Sequence, residues 1–326
     1  MTAERVSVCI VGGGPAGLML ALLLAKRGVD VLVLEGHEDF EREFRGEVLQ
    51  PSTAHLLDEL GLLEYVRAQP HSRLEAAKVR LNGRDIGEFS FKRIVPEYPY
   101  AIWMPQPIFL DALRRKAETF RSFRCWMGAK ASKLIEQGGR IVGAAGLRHG
   151  AEAFEVRADV VVGADGRHST LARLGGFTPE YEHHDFDVIW FTIEQPPGWS
   201  STFYVSLGSQ VRGLLLPKYP HHIQAGILVP TGEWRRWRQE GVALVAERVR
   251  RLDPIFAGFA DGLRDFTPFF LLEGVIRLMK EWARDGLLLI GDAAHTMSPA
   301  GAIGVNVAIA TAAVAAQVLY PRLGHG

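Results

Sequence analysis

The chain opens with an apolar, β-branched run, Val6-Ser7-Val8-Cys9-Ile10-Val11, that stops at Gly12-Gly13-Gly14-Pro15-Ala16-Gly17. An apolar stretch over residues 18–25 follows, Gly28 can end it, and a second run, Asp30-Val31-Leu32-Val33-Leu34, finishes on Glu35. Short apolar runs bounded by glycine predict strands, and the stretch between them predicts a buried helix. The opening therefore reads as strand, turn, helix, strand. A secretory leader is the other reading of residues 18–25. Against it, Glu4 and Arg5 make no basic leader, and three glycines and a proline interrupt the apolar stretch.

Pro51-Ser52-Thr53 then opens a helix with Ser52 or Thr53 as its N-cap, and Leu56, Leu57, Leu60 and Leu63 recur at helical spacing. Over residues 76–102 the pattern changes to strands, with runs at 79–81 and 86–91 around Asn82-Gly83, a strong hairpin signal. A helix is expected from 108 to about 120, carrying Leu110, Leu113 and Ala117 on one side. Residues 125–135, 140–147 and 154–162 read as three strands joined at Gly138-Gly139 and His149-Gly150. Strand-like runs return at 188–193, 202–207, 213–216 and 223–229, and Val242, Leu244, Val245, Val249 and Leu252 make an amphipathic helix of 240–252. The chain closes on Leu287-Leu288-Leu289-Ile290 and an alanine-rich helix over 302–319.

This order predicts an α/β fold with a Rossmann-like nucleotide-binding domain and a discontinuous antiparallel-sheet domain. Residues 1–75, 104–180 and 277–326 are assigned to the first, residues 76–103 and 181–276 to the second. The second should carry a pocket facing the nucleotide. Trp190, Phe191, Tyr204, Phe269 and Phe270 suit a flat apolar ligand there, or a plain core. His183, His184, Tyr204, Arg212 and Tyr219 are pocket candidates by location alone.

Composition narrows the class. At 326 residues, 48% hydrophobic, 23% charged and formally neutral, the chain is globular, about two domains long, and has no nucleic-acid footprint. Cys9 and Cys125 make neither a disulfide framework nor a metal site, which points to the cytoplasm. Residues 302–319 approach the ~20 apolar residues of a membrane span. Their alanines and glycine, with Asn306, Thr311 and Gln317, favour a buried helix, so no transmembrane segment is expected.

The candidate chemistry sits at strand ends. Gly12-x-Gly14-x-x-Gly17 places glycines for a tight turn, for close approach to a pyrophosphate and for helix–strand packing. Glu35 lies 18 residues after Gly17, near the expected spacing of about 20 for a carboxylate that accepts ribose hydroxyls. It would repel a 2′-phosphate, so the site suits FAD or NAD. Arg45, just beyond, is either a surface charge or a clamp on a phosphate or flavin edge. Gln106 either fills a loop or bonds a ribityl chain or phosphate. The run 160–162 ends at Gly163-Ala164-Asp165-Gly166, where ligands of α/β sheets bind; Asp165 either caps the helix at 169–174 or reaches the ligand. A further strand ends at Gly291-Asp292, and Pro299 and Gly304-Val305-Asn306 introduce the last helix. Two such strand ends and two glycine-rich helix starts exceed what NAD needs and suit the longer FAD.

Gly12-x-Gly14-x-x-Gly17 with Glu35, Gly163-Ala164-Asp165-Gly166-x-x-Ser169, and Gly291-Asp292-Ala293-Ala294-His295 with Pro299 together resemble the FAD-dependent monooxygenases of the para-hydroxybenzoate hydroxylase type. The resemblance implies that Gly12, Gly14, Pro15, Ala16 and Gly17 hold FAD, that Glu35 binds its adenosine ribose, and that Arg45 and Gln106 contact it. Asp165 and Gly166 would serve FAD and the nicotinamide donor, Asp292 the ribityl or ribose hydroxyls, and Pro299, Gly304, Val305 and Asn306 the same cofactor. The implied activity is hydroxylation of a small aromatic or polyketide-like molecule, using NADH or NADPH and molecular oxygen through a flavin hydroperoxide. The flavin carries that chemistry, so no catalytic side chain or metal ligand is singled out, and His295 is given a structural role.

Two rivals share the scaffold, a flavin dehydrogenase or prenyl reductase and a catalytically silent FAD-binding protein. Halogenation is disfavoured because no Trp-x-Trp-x-Ile-Pro motif occurs. Ala302-Ile303-Gly304 stands where the family commonly has Gly-Gln-Gly, and Thr311 where it has an acidic residue. The family usually continues through several dozen more helical residues, so this form is expected to cover its sheet and pocket less well, with stability or activity impaired.

Overall fold

The computed structural model describes residues 2–41, 48–82, 84–184, 186–199, 201–208, 211–299 and 302–323. Its organising strand is Thr2–Val11, paired in parallel with Val31–Leu34 on one side and Glu152–Gly163 on the other. Phe123–Trp126 extends the parallel sheet beyond Val31–Leu34, and Leu287–Leu289 extends it beyond Glu152–Gly163. Val8, Cys9 and Ile10 are wholly buried, as they must be in a strand covered on both faces. The helix Pro15–Ala25 is apolar all round because it too is surrounded, sharing one core with Gln106–Ala117 and the closing helix Ile303–Leu319. Five parallel strands thus present their carboxyl ends along one edge, and the connections leave the first strand in both directions. That is where an open α/β sheet binds its ligand.

Arg140–Arg148 pairs antiparallel with Glu152–Gly163, and Ala129–Gln137 pairs antiparallel with Arg140–Arg148 at the outside. The single strand expected over 125–135 is corrected here. Gly128, at φ 66°, turns the chain between Phe123–Trp126, which belongs to the parallel sheet, and Ala129–Gln137, which does not. The helix expected through Leu63 also divides. Pro51–Glu59 stops before Gly61, at φ 68°, and Leu63–Arg67 is a separate helix. The N-cap of Pro51–Glu59 is Gln50, not Ser52 or Thr53, because Pro51 takes the first helical position, where its missing N–H costs nothing.

A second, seven-stranded sheet runs in the order Phe270–Leu272, Phe186–Glu194, His222–Pro230, Arg212–Lys218, Thr202–Leu207, Ala76–Leu81, Arg84–Ser90. The hairpin at Asn82 and the strands after residue 185 therefore share one sheet, joined by parallel pairing of Ala76–Leu81 with Thr202–Leu207. Helices Glu233–Glu240 and Val242–Leu252 cover one face. The sequence pattern anticipates one helix there. Gly241, at φ 104°, splits the segment, and Trp234 and Trp237 anchor the unanticipated first half.

Val48–Leu49, Ala101–Trp103 and Ser72–Leu74 form a small sheet against the other face, and Pro179–His184, Val275–Met279 and His295–Thr296 form another small sheet. Ile303–Arg322 is long and apolar enough to cross a membrane, yet half of that window is buried inside the fold.

Candidate cofactor and substrate site

The glycines of the first turn do different things. Gly12 has φ 107°, and a Cβ there would lie 2.3 Å from the Ala164 carbonyl oxygen; one on Gly17 would lie 2.0 Å from the carbonyl oxygen of Gly12. Both are required for the helix to sit on the strand ends. A Cβ on Gly14 would meet nothing within 4 Å. Gly14 is the N-cap of Pro15–Ala25, which has no side-chain cap and no acidic residue in its first turn. Its first amides and the positive end of its dipole therefore face open space, the setting in which helix N-termini bind phosphate.

Glu35 is 3% exposed at the end of the second strand. It accepts from the Gly13 N–H at 2.7 Å and the His37 N–H at 2.9 Å, and the His37 ring lies 2.7 Å from the same carboxylate. The carboxylate is thus fixed beside the glycine turn. Ala164 N–H donates to Val11 and Ile290 N–H to Gly163, so the three strand ends stay in register. Gly291, at φ 58°, brings the third end against Ala16 and Ala308. The short turn Gly291–Ala293 carries half-buried Asp292.

Asp165 caps a helix. Its carboxylate accepts from the Ser169 hydroxyl and from the N–H groups of Thr170 and Leu171, at 2.7 and 3.1 Å. Burial still pushes its pKa above the ordinary carboxylate value. The adjacent Gly166, at φ 82°, opens on free space.

The closing helix begins at Ala302, held at φ 52°, also without a side-chain cap. Asn306 fixes its first turn. Its amide oxygen accepts from Gln50 N–H at 2.9 Å and Thr53 hydroxyl at 2.6 Å, while its amide nitrogen donates to the carbonyls of Val48 and Ala302 at 2.9 and 2.7 Å. The side chain is therefore a structural clamp, and Gly304, Val305 and Asn306 offer the backbone of a helix start. Pro299 is half-buried just before it. Gln106, 8% exposed, occupies the start of a third helix without a side-chain cap. Arg45 lies outside the described residues.

His295 is 2% exposed and its ring packs 5.2 Å from that of Trp282. Burial lowers its pKa below the ordinary value. Its Nε2 lies 3.4 Å from the Thr311 hydroxyl, which donates to the Ala308 carbonyl at 3.0 Å. Thr311 thereby ties the strand end at Gly291–His295 to the closing helix without a charge.

Across from the small sheet that holds Val48 and Trp103, the seven-stranded sheet presents Val188, Trp190, Leu216 and Phe270. The aromatic residues expected to line a pocket are thus divided. Trp190 and Phe270 face this layer, whereas Phe191, Tyr204 and Phe269 lie in the core under the covering helices. Gly226 is what lets Trp190 lie against the sheet, since a Cβ there would come within 2.7 Å of the indole. Among the five location candidates only Tyr219 packs at this layer. His183, His184 and Arg212 are exposed, and Tyr204 stacks under Arg80 at 4.3 Å. An open cleft of about 710 Å³ lined by Trp234, Arg238 and Phe266 lies on the opposite, helix-covered face, away from the glycine turn.

Pattern reasoning missed Gln50, Trp103 and Gly226, and it named Thr53 only as a helix cap. Thr53 carries a signal, a polar residue at a helix start, but its partner Asn306 is 253 positions away.

A profile of the family described as FAD binding domain matches residues 5–324. The chain is 38% identical over 318 residues to 6-methylpretetramide 4-monooxygenase of Streptomyces rimosus, spanning 97% of this chain and 75% of that protein. It is 26% identical over 330 residues to digeranylgeranylglycerophospholipid reductase of Methanocella arvoryzae, spanning 96% and 76%. The fold superposes on the crystal structure of p-nitrophenol 4-monooxygenase PnpA from Pseudomonas putida with a TM-score of 0.82 at 23% identity, covering 99% of this chain and 81% of that one. The three uncapped helix starts, the open Gly14 and the buried Glu35 fit FAD. The chain belongs to the FAD-binding family of flavin-dependent monooxygenases.

Proposed function

We propose that this protein holds FAD along the carboxyl edge of its parallel sheet and hydroxylates a flat, polycyclic aromatic polyketide of the 6-methylpretetramide kind. NADH or NADPH would be the electron donor and molecular oxygen the second substrate. The observation that carries the reading is the convergence of two long, uncapped helix starts on one sheet edge, with an aromatic sheet face opposite. The 38% identity to the Streptomyces rimosus enzyme supports the substrate class.

In this reading Gly12, Gly14, Pro15, Ala16 and Gly17 receive the pyrophosphate, Glu35 the adenosine ribose, and Asp292 and Gln106 the ribityl chain. Asp165 shapes the turn that leaves Gly166 open. Pro299 and the amides of Gly304, Val305 and Asn306 border the flavin, where the helix dipole favours negative charge. Bound FAD would supply hydride acceptance and oxygen activation. The chain's own residues bind, orient and exclude water, and the apolar layer around Trp190 serves the last of these. The division into residues 1–75, 104–180 and 277–326 against 76–103 and 181–276 follows from the same reading. The free thiols Cys9 and Cys125 support a cytoplasmic setting.

The test is to purify the protein, record its visible spectrum, identify the released cofactor, and measure NADH and NADPH oxidation with and without 6-methylpretetramide. A flavin spectrum, released FAD and oxidation stimulated by the polyketide are expected. A protein that refuses added FAD contradicts the reading. FAD-dependent turnover that continues without oxygen would favour the reductase alternative.

A further inference from the structure

The strand Ala101–Trp103 sends alternate side chains to opposite sides. Ile102 joins the core of the parallel sheet, and Trp103 joins Val48, Leu74, Val188, Trp190 and Leu216 in the layer between that part and the seven-stranded sheet. Trp103 is 0% exposed, and its indole N–H has no hydrogen-bond partner among the described residues. A buried donor left unmade is costly and calls for an explanation. One buried polar side chain of the sheet gives the contrast. Gln224, also wholly buried, accepts from Thr192 and Lys218 and donates to the Phe191 carbonyl.

Trp103 is also well placed. It pairs with Val48, whose carbonyl is held by Asn306 at the start of the closing helix, and it precedes Gln106 by three residues. Asn306 and Gln106 both belong to the proposed cofactor site. We propose that the Trp103 Nε1–H is a substrate-positioning donor that binds an oxygen, phenolic or carbonyl, on the aromatic ring to be hydroxylated. An indole N–H can only donate, so the ligand must bring the acceptor. A ring without oxygen fills the same layer and leaves the bond unmade. This rests on the reading that an aromatic substrate lies against this sheet face.

The test compares FAD-loaded wild type with Trp103→Phe, which keeps an apolar ring and removes the donor. Dissociation constants are measured for 2-naphthol, naphthalene and 6-methylpretetramide. The ratio between naphthalene and 2-naphthol should fall roughly three- to tenfold in the variant, as the loss of one neutral hydrogen bond requires. A simple packing role would weaken both ligands and leave the ratio unchanged, which overturns the proposal. If the ratio falls but 6-methylpretetramide binds neither protein, Trp103 keeps its role and the polyketide reading fails. If the polyketide binds both proteins equally and the ratio is constant, the reading survives and the Trp103 role fails. Should Trp103→Phe not fold, the wild-type Trp103 indole ¹⁵N–H resonance decides. It should move downfield with 2-naphthol and not with naphthalene, and its failure to do so refutes the role.

Discussion

Gly14 and Gly17 are three residues apart, yet the same substitution should do opposite things at the two positions. Gly17→Ala forces a Cβ to within 2.0 Å of a backbone oxygen, so it should destabilise the fold by about 1–3 kcal/mol or more. Gly14→Ala meets nothing in the protein and has an ordinary φ of −79°. It should cost under about 1 kcal/mol of stability, while lowering FAD affinity roughly tenfold or more as phosphate contacts to the helix start are lost. Thermal melts of the apoprotein and FAD titration of each variant check both halves. At the same scale, His295 is buried in its neutral form. Its folded pKa lies below the unfolded one, so the unfolded chain binds the extra proton first. Stability from this group is full above the ordinary histidine pKa of about 6.5 and is lost as pH falls through the lower folded value. Urea melts across this range should show an acid-side loss that His295→Gln reduces; an unchanged pH profile would refute the assignment.

At the scale of elements, the closing helix does more than complete a core. Asn306 joins its first turn to the segment Val48–Thr53, which leads into the helix Pro51–Glu59. Asn306→Ala removes four bonds from a largely buried site and should cost about 1–3 kcal/mol. It should also weaken FAD binding, because the helix start is no longer held. Calorimetry with parallel FAD titration tests this, and a stability loss with unchanged FAD affinity would separate the clamp from the cofactor. This element shows where sequence reasoning runs out. The helix start, its position and its apolar body are legible from Gly304 and the alanine-rich pattern. The clamp is not, because Ser52 and Thr53 look like local caps when Pro51 has displaced the cap to Gln50 and freed Thr53 for a distant partner. Hydrophobic periodicity alone treats the strands around Gly128 as continuous for a related reason, since one glycine with positive φ divides them, and it gives no sign of the helix Glu233–Glu240 that precedes Gly241.

For the whole molecule, the three strand-end motifs fixed the architecture because each glycine there is demanded by a contact the fold cannot avoid. Gly12 meets Ala164, and Gly291 meets Ala16 and Ala308, so residues more than 270 positions apart specify one edge. The substrate side was less legible. Trp190 and Phe191 are neighbours in sequence and look alike as candidates, yet strand alternation sends one toward the layer with Trp103 and the other into the core beneath the covering helices. Only the register of the seven-stranded sheet decides between them.

The most direct measurement is mass spectrometry of 6-methylpretetramide incubated with the FAD-loaded protein, NADPH or NADH, and ¹⁸O₂. A flavin monooxygenase acting on this class of ring yields a product carrying one ¹⁸O atom, formed in step with donor oxidation. Donor oxidation with no labelled product, or a labelled product formed without FAD, would contradict the account.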